Sequence, residues 1–257
     1  RGAILDGEHP AGTIGSDSLS KLFQQVRKQQ FKALVLRIDS PGGSVVGGEH
    51  LYNGLRAIAQ TKPVATVMGT VATSAAYMTA IATDRVFARE GTITGSIGVI
   101  LQTANVNDLL ERIGVEPITI KSTALKGVPS PVEPLTPEGR AATALVVLDL
   151  YDFFVDLVID RRPIDADGVR QLADGRVFSG RQAVENNLID AIGDEAAAVA
   201  WMVRERNLPN GLPVETARTS ADADSLLEKI TGLAGKSLFS NALTLDGLVS
   251  LWQPSAR

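Results

Sequence analysis

The strongest constraint on the fold is a recurring pattern in which a short apolar run ends in a turn of small residues and then gives way to a helical spacing. The run 33–38 is aliphatic and ends in Ser40-Pro41-Gly42-Gly43, which predicts a buried strand and a tight turn. Leu51, Leu55 and Ile58 then recur at the spacing of one helix face. The same reasoning predicts strands over 64–68, 85–88, 97–101 and 118–121, and helices over 17–26, 74–83 and 105–113. This alternation predicts an α/β fold with parallel crossovers.

The second part of the chain is predicted to be mostly helical. Four prolines between residues 122 and 137 predict a long ordered loop, and Thr136-Pro137 then supplies an N-cap and a proline at the first helical position. Ser179 and Gln182 form a capping box before a shorter helix, and 194–207 predicts another. We expect one domain over 1–218, with an α/β core over about 1–135 and a helical part over about 136–218. The tail 219–257 is expected to contact an oligomer partner or the membrane.

Composition excludes several classes of function. A net charge of −4 with 25 basic residues gives no reason to expect a nucleic acid partner. The absence of cysteine excludes disulfides, thiolate metal sites and a cysteine nucleophile. No apolar run reaches the roughly 18 residues that a transmembrane helix needs. The most apolar stretch, 144–159, contains three aspartates and predicts an amphipathic helix.

Two predicted strand-to-helix junctions offer reactive positions. Gly42 and Gly43 permit a sharp turn that presents backbone N–H groups, although an ordinary turn would use the same residues. Ser74 precedes small residues at the predicted start of a helix, where free N–H groups favour negative charge. It is therefore a candidate nucleophile, with the following N–H as an oxyanion donor. The alternative is that Ser74 or Thr73 is only a helix N-cap.

Few residues qualify as a general base for such a serine. His9 lies in a turn-rich stretch and His50 near the start of a predicted helix, so a Ser-His-Asp triad would have to use one of them, and solvated or packing roles suit both better. Lys121 and Lys126 lie in or beside the proline-rich loop. A lysine pKa of about 10.4 must fall to about 7–8 for this role, which burial achieves. A solvated charge is the alternative for each lysine.

Five segments in order resemble the signal peptide peptidase A (SppA, protease IV) family, which consists of serine proteases with the ClpP/crotonase fold. The segments are LVLRIDSPGG (34–43), ATSAAY (72–77), TITGSIGVI (92–100), IKSTALKGVPSP (120–131) and DGRVFSGRQA (174–183). The resemblance implies a ClpP/crotonase-like α/β fold with βαβ units and a helical C-terminal extension. Position by position, it implies that Ser74 is the nucleophile, Lys126 the general base and Ser96 the hydroxyl that orients the lysine amine. The N–H groups of Gly43 and Ala75 match the oxyanion hole.

The chain departs from the family pattern at two places. The nucleophile is followed by Ala75-Ala76 instead of two glycines, and the base by Gly127 instead of aspartate. Alanine retains its N–H, so the oxyanion donor is kept.

The resemblance also implies a partner set and a location. It implies hydrophobic peptide substrates such as cleaved signal peptides, a ring-shaped homo-oligomer, and no cofactor or metal. It places the protein at the bacterial cytoplasmic membrane, anchored by a segment before Arg1, with the catalytic domain on the extracytoplasmic side. A non-catalytic oligomeric scaffold and a crotonase-like acyl-CoA enzyme with acidic bases remain as alternatives.

Overall fold

The computed structural model describes residues 2–7, 13–15, 22–24, 26 and 31–215. His9, Leu19 and the tail 219–257, for which the sequence makes predictions, lie outside the described residues. Residues 22–24 and 26 are helical, and Phe23 and Val26 are buried, as the helical spacing predicts.

The described elements alternate between strands and helices. The strands are β1 (Ala3–Leu5), β2 (Thr13–Gly15), β3 (Leu34–Ser40), β4 (Val64–Thr73), β5 (Arg85–Ala88), β6 (Ile93–Gly95), β7 (Val177–Ser179) and β8 (Ala191–Ile192). The longer helices, numbered in chain order, are α1 (Val45–Ala59), α2 (Ala75–Ile81), α3 (Asn107–Arg112), α4 (Pro137–Arg161), α5 (Ala166–Leu172), α6 (Gly180–Glu185) and α7 (Glu195–Glu205).

Strand β4 is the centre of the main sheet. It pairs in parallel with β3 along one side, while its other side pairs first with β5 and then with β6. Strand β8 extends the sheet in parallel from β5, and β7 pairs antiparallel with β6. The predicted parallel α/β architecture is therefore confirmed, with β7 as the antiparallel exception. Both outer strands, β7 and β8, come from the part of the chain after α4.

A bulge in β4 separates the part of this strand that pairs with β5 from the part that pairs with β6. The register with β3 changes from Ile38 opposite Met68 to Ser40 opposite Ala72. Asp39 lies between them, and its Oδ1 accepts hydrogen bonds from the N–H groups of Thr70 and Val71, both at 3.1 Å. The carboxylate thus replaces the strand partner that these N–H groups lose at the bulge.

Helices cover both faces of the sheet. Alternate residues of β4 face opposite sides, so Val64 and Met68 join the core beneath α1 and α2, whereas Ala65 and Val67 pack with Trp201 of α7. The C-terminal half of α4 belongs to the first core through Phe154, Val155 and Val158. The carboxyl ends of β3 and β4 meet beside the start of α2, which is where ligands bind in sheets of this type.

Capping residues set the helix starts as the sequence predicts. The Thr136 hydroxyl accepts from Gly139 N–H at the start of α4. The capping box of Ser179 and Gln182 opens α6. Within the described residues, none of the helices combines the length and the apolar composition needed to cross a bilayer.

Two strand predictions are wrong. Residues 97–99 have no regular structure, with an isolated bridge at Ile100, and residues 118–121 belong to no strand. Ile118 and Ile120 are 86% and 96% exposed. Their β-branched residues favour an extended backbone, yet a strand also requires a neighbour for its N–H and C=O groups, and the described part of this chain supplies none there.

Candidate active site

Ser74 joins the end of β4 to the start of α2 in a strained turn. Its backbone angles are φ 54° and ψ −125°, a conformation that costs a residue with a side chain about 1–3 kcal/mol. Two hydrogen bonds hold this conformation: Ser74 N–H donates to Gly95 O, and Ser74 O accepts from Met78 N–H, each at 2.9 Å. The strain is therefore maintained by a buried framework, as at a nucleophile turn.

The Ser74 hydroxyl is not used to cap the helix. Its side chain makes no capping hydrogen bond, and the Thr73 hydroxyl donates instead to Pro41 O at 2.7 Å. The interpretation of either residue as a side-chain N-cap is therefore wrong. Ser74 is only 2% exposed, and its Oγ has no hydrogen-bond partner among the described residues. Among those residues, the one side-chain polar atom that is both fully buried and unpaired is Arg85 Nε. Because Ser74 Oγ is unpaired too, it is not fully buried and reaches solvent.

The Gly42-Gly43 turn packs directly against this serine. Gly42 has φ 111°, and a Cβ there would lie 2.8 Å from Ser74 Cβ and 2.9 Å from Thr73 O. A Cβ on Gly43 would lie 1.8 Å from Ile4 O. Glycine is thus required at both positions, at Gly42 because of conformation and contact, and at Gly43 because the β1 backbone approaches so closely.

Two backbone donors flank Ser74. The residues on either side of Gly43 bond to Ile4, which accepts from Ser44 N–H and donates to Gly42 O, so the Gly43 N–H faces away from β1. Ala75 is the first residue of α2, where N–H groups have no intrahelical acceptor. Neither N–H donates to another residue in the described part of the chain. Such a pair is able to stabilise an oxyanion on a carbonyl bound beside Ser74.

Ser96 directly follows Gly95, the residue that is hydrogen-bonded to the Ser74 backbone. Gly95 accepts the Ser74 N–H, and Ser96, with φ 52°, donates its own N–H to Arg176 O at 2.8 Å. The Ser96 side chain is half-buried. The structure therefore brings together Ser74, the Gly42-Gly43 turn, Ala75 and the backbone of Ser96.

Lys126 lies in an exposed loop of the single chain and makes no hydrogen bond to Ser74. Residues 122–127 are all exposed, and Lys126 Nζ makes no hydrogen bond to a described residue. Lys121 is instead half-buried in an ion pair with Glu133. The Lys121 hydrogen bond, with a smaller one from Thr119, holds the pKa of Glu133 below its usual range. The Lys121 ammonium is thus already engaged by a carboxylate, which suits a structural role better than that of a base.

The other candidate base and a metal centre gain no support. His50 lies on α1, and its Nδ1 is 3.6 Å from Asp6 Oδ1. Across the residues that the structure describes, no group of three or more histidine, aspartate or glutamate side chains is arranged to hold a metal ion.

Sequence reasoning missed the side chains that fix the end of β4. The Thr94 hydroxyl donates to Ala72 O and the Thr92 hydroxyl to Gly69 O, both at 2.7 Å, and Asp39 holds the bulge described above. The signal for the threonines was the alternation in Thr92-Ile93-Thr94-Gly95, since two hydroxyls two residues apart on a short strand face the same side. Asp39 stood in the LVLRIDSPGG segment without a role of its own.

Comparison with known proteins identifies the family of the chain. The family model for peptidase family S49 matches residues 56–209, and the model for Clp protease matches residues 11–93. The Synechocystis sp. protein named "Putative protease slr0021" is 34% identical over 232 residues, covering 90% of this chain and 80% of that protein. The Enterococcus faecium protein named "Putative signal peptide peptidase SppA" is 34% identical over 238 residues, covering 91% of this chain and 68% of that protein.

One solved structure was compared with the chain. A ClpP1 variant from Listeria monocytogenes aligns over 72% of this chain and 86% of its own, with 14% sequence identity and a TM-score of 0.48. The Clp protease match together with the mainly parallel sheet confirms the ClpP/crotonase-like fold. The resemblance to the signal peptide peptidase A family is likewise confirmed, since the S49 model covers more than half of the sequence. The chain belongs to peptidase family S49.

Proposed function

We propose that this peptidase is a serine endopeptidase with a Ser-Lys dyad, in which Ser74 is the nucleophile and Lys126 the general base. Ser96 orients the lysine amine, and the N–H groups of Gly43 and Ala75 form the oxyanion hole. The observation that carries the proposal is the free Ser74 hydroxyl. It lies in a strained turn, does not cap α2, and is close to two N–H groups that have no acceptor.

The reaction follows from these positions. The neutral Lys126 amine removes the proton of Ser74 as Oγ attacks the carbonyl carbon of the scissile peptide, and the two N–H groups stabilise the oxyanion. Collapse of the tetrahedral intermediate breaks the C–N bond, and the leaving amine takes the proton from the Lys126 ammonium. Lys126 then deprotonates a water molecule, which hydrolyses the acyl-enzyme and restores Ser74.

The dyad is completed when subunits assemble. A lysine acts as a base where burial disfavours its charged form, whereas residues 122–127 are exposed in the single chain. Apolar side chains are exposed on the same part of the chain, with Ile118 and Ile120 before the loop and Leu145 on α4. In a ring-shaped homo-oligomer, contacts at these residues would cover the loop and bring Lys126 to a Ser74 hydroxyl of the same or a neighbouring subunit.

The proposed substrates are hydrophobic peptides, including cleaved signal peptides, handled at the membrane. The support is the name of the Enterococcus faecium relative, a signal peptide peptidase. The backbone donors beside Ser74 would bind any peptide carbonyl, so side-chain preference has to come from other residues that contact the peptide.

The test is hydrolysis of a fluorogenic apolar peptide by the wild type, Ser74→Ala and Lys126→Ala. Lys32→Ala, at an exposed lysine outside the loop that carries Lys126, is the matched control. We expect loss of turnover in both site variants and a wild-type rate in the control. Full activity in either site variant would refute the role assigned to that residue.

Mixing the two inactive variants tests the shared site. If subunits exchange and the dyad is formed between chains, mixed oligomers regain activity, because some sites combine an intact Ser74 with an intact Lys126. Absence of recovery in mixed oligomers would place both residues of a dyad in one chain.

The alternatives predict different results. A wild type that neither hydrolyses peptides nor reacts with a fluorophosphonate at Ser74 would favour the scaffold. Hydrolysis of an acyl-CoA thioester that survives Ser74→Ala would favour the crotonase-like enzyme.

A further inference from the structure

The segment that carries Lys126 is an exposed loop between β6 and α4, and the Glu133 side chain links its two sides. We call residues 101–136 the arm. Its only helix among the described residues is α3, and residues 122–127 form an exposed turn at its tip. Its two limbs, 115–121 and 129–136, run on either side of this tip.

Glu133 connects both limbs and a third segment of the arm, at Asn105. Its carboxylate accepts from Lys121 Nζ in the opposite limb. Its backbone carbonyl accepts from Asn105 Nδ2 at 2.6 Å, and the adjacent contact of Val106 N–H with Pro131 O at 2.8 Å ties down the same place.

This ion pair is covered while its surroundings are open. The side chains of Lys121 and Glu133 are 18% and 27% exposed, whereas Ile118 and Ile120 of the same limb are almost fully exposed. Charged groups in an otherwise exposed loop normally remain in solvent. Here they are paired at the point where the limbs approach, so the pair acts as a clasp.

The clasp spans the loop that bears the proposed base. Lys121 and Glu133 are twelve residues apart, and Lys126 lies between them. Within residues 122–128, the described hydrogen bonds are short-range backbone contacts, such as Lys126 N–H to Thr123 O at 3.1 Å. Fixing the ends of a short loop removes many of its conformations, including those that direct the central residue elsewhere.

We infer that Glu133 is a positioning residue for the reaction: its ion pair with Lys121 holds the arm so that Lys126 reaches Ser74. The inference rests on the proposed function, because it requires Lys126 to be the base. It also gives Lys121 a defined task, as the cation of the clasp.

The experiment measures kcat and KM separately for peptide hydrolysis by Glu133→Gln, Lys121→Met and the charge-swapped double variant Lys121→Glu/Glu133→Lys. Glu116→Gln, an exposed acid in the same limb as Lys121, is the control. Each single variant is expected to lower kcat about tenfold, equivalent to about 1.4 kcal/mol, with KM unchanged. The swapped pair is expected to recover to within about threefold of the wild type, because the clasp is rebuilt with opposite polarity.

Several results would overturn the inference. A wild-type kcat for Glu133→Gln, combined with an inactive Lys126→Ala, would refute the clasp and leave the dyad standing. Failure of the charge swap to exceed the single variants, or dissociation of the oligomer in Glu133→Gln by light scattering, would show that Glu133 has a structural role alone. Activity in Lys126→Ala would refute the dyad itself, and the clasp with it.

Discussion

Replacing Gly42 by alanine would press a methyl group into the serine turn. Gly42 adopts φ 111°, which residues with a side chain rarely adopt, and its Cβ would lie 2.8 Å from Ser74 Cβ and 2.9 Å from Thr73 O. Both neighbours belong to the buried junction of β4 and α2, so neither is the free end of a flexible side chain. Either the glycine turn or the serine turn has to move.

The cost has two parts. The backbone conformation contributes about 1–3 kcal/mol, and relief of the close contacts contributes a further ~1–3 kcal/mol. We therefore expect Gly42→Ala to lower the free energy of unfolding by about 2–6 kcal/mol, a large share of the ~5–15 kcal/mol typical of a domain. A displacement of Ser74 by about 1 Å would in addition slow catalysis roughly 100-fold.

Urea denaturation and the rate of fluorophosphonate labelling at Ser74 measure the two effects. Gly211→Ala is the matched control, because Gly211 has φ 79° and nothing within 4 Å of its Cβ position. That variant should lose only the cost of the left-handed conformation, about 1–2 kcal/mol, and label at the wild-type rate. If Gly42→Ala were no less stable than Gly211→Ala and labelled equally fast, the close packing of the glycine turn against Ser74 would be refuted.

Two further predictions concern the framework behind the site. Asp39→Ala removes the acceptor of the Thr70 and Val71 N–H groups and should lower the free energy of unfolding by about 1–3 kcal/mol in urea. Asp39→Asn keeps Oδ1 and should lose less, and equal losses would contradict the reasoning. Tyr77→Phe removes the hydrogen bond to Leu188 O and should cost about 0.5–1.5 kcal/mol at pH 7. Burial raises the pKa of Tyr77, so above about pH 10 the folded protein keeps the phenol proton while the unfolded chain loses it. The free energy of unfolding of the wild type therefore falls at alkaline pH, and its excess over that of Tyr77→Phe becomes smaller. An advantage that stayed constant between neutral and alkaline pH would contradict the burial argument.

Elements defined by local chemistry were predictable from the sequence. The start of α4 is marked by Thr136 and Pro137, and the start of α6 by its capping box, since caps act within a few residues. Strand β5 coincides with the predicted run 85–88. By contrast, β6, β7 and β8 have only two or three residues each, which is too few for a hydrophobic period to be visible in the sequence. They form because a neighbouring strand supplies partners for their backbone hydrogen bonds.

The candidate site divides in the same way. Ser74 and the Gly42-Gly43 turn were visible as strand-to-helix junctions, because small residues between a strand and a helix form a pattern within a few positions of the chain. The role of Asp39 was not visible, since its partner Thr70 lies 31 residues away. Whether Lys126 reaches a serine depends on how an exposed arm is covered, and no local pattern encodes that.

The order of the strands also determines when the protein becomes foldable during synthesis. Strands β5 and β6 have their outer partners, β8 and β7, near the end of the described chain, and Val86 N–H donates to an aspartate 104 positions later, Asp190. A nascent chain that has emerged only as far as α4 therefore exposes two unpaired sheet edges, which are sites for pairing with other chains. Ribosome-bound intermediates of this length should recruit chaperones, and truncation before β7 should yield aggregates instead of a smaller folded domain.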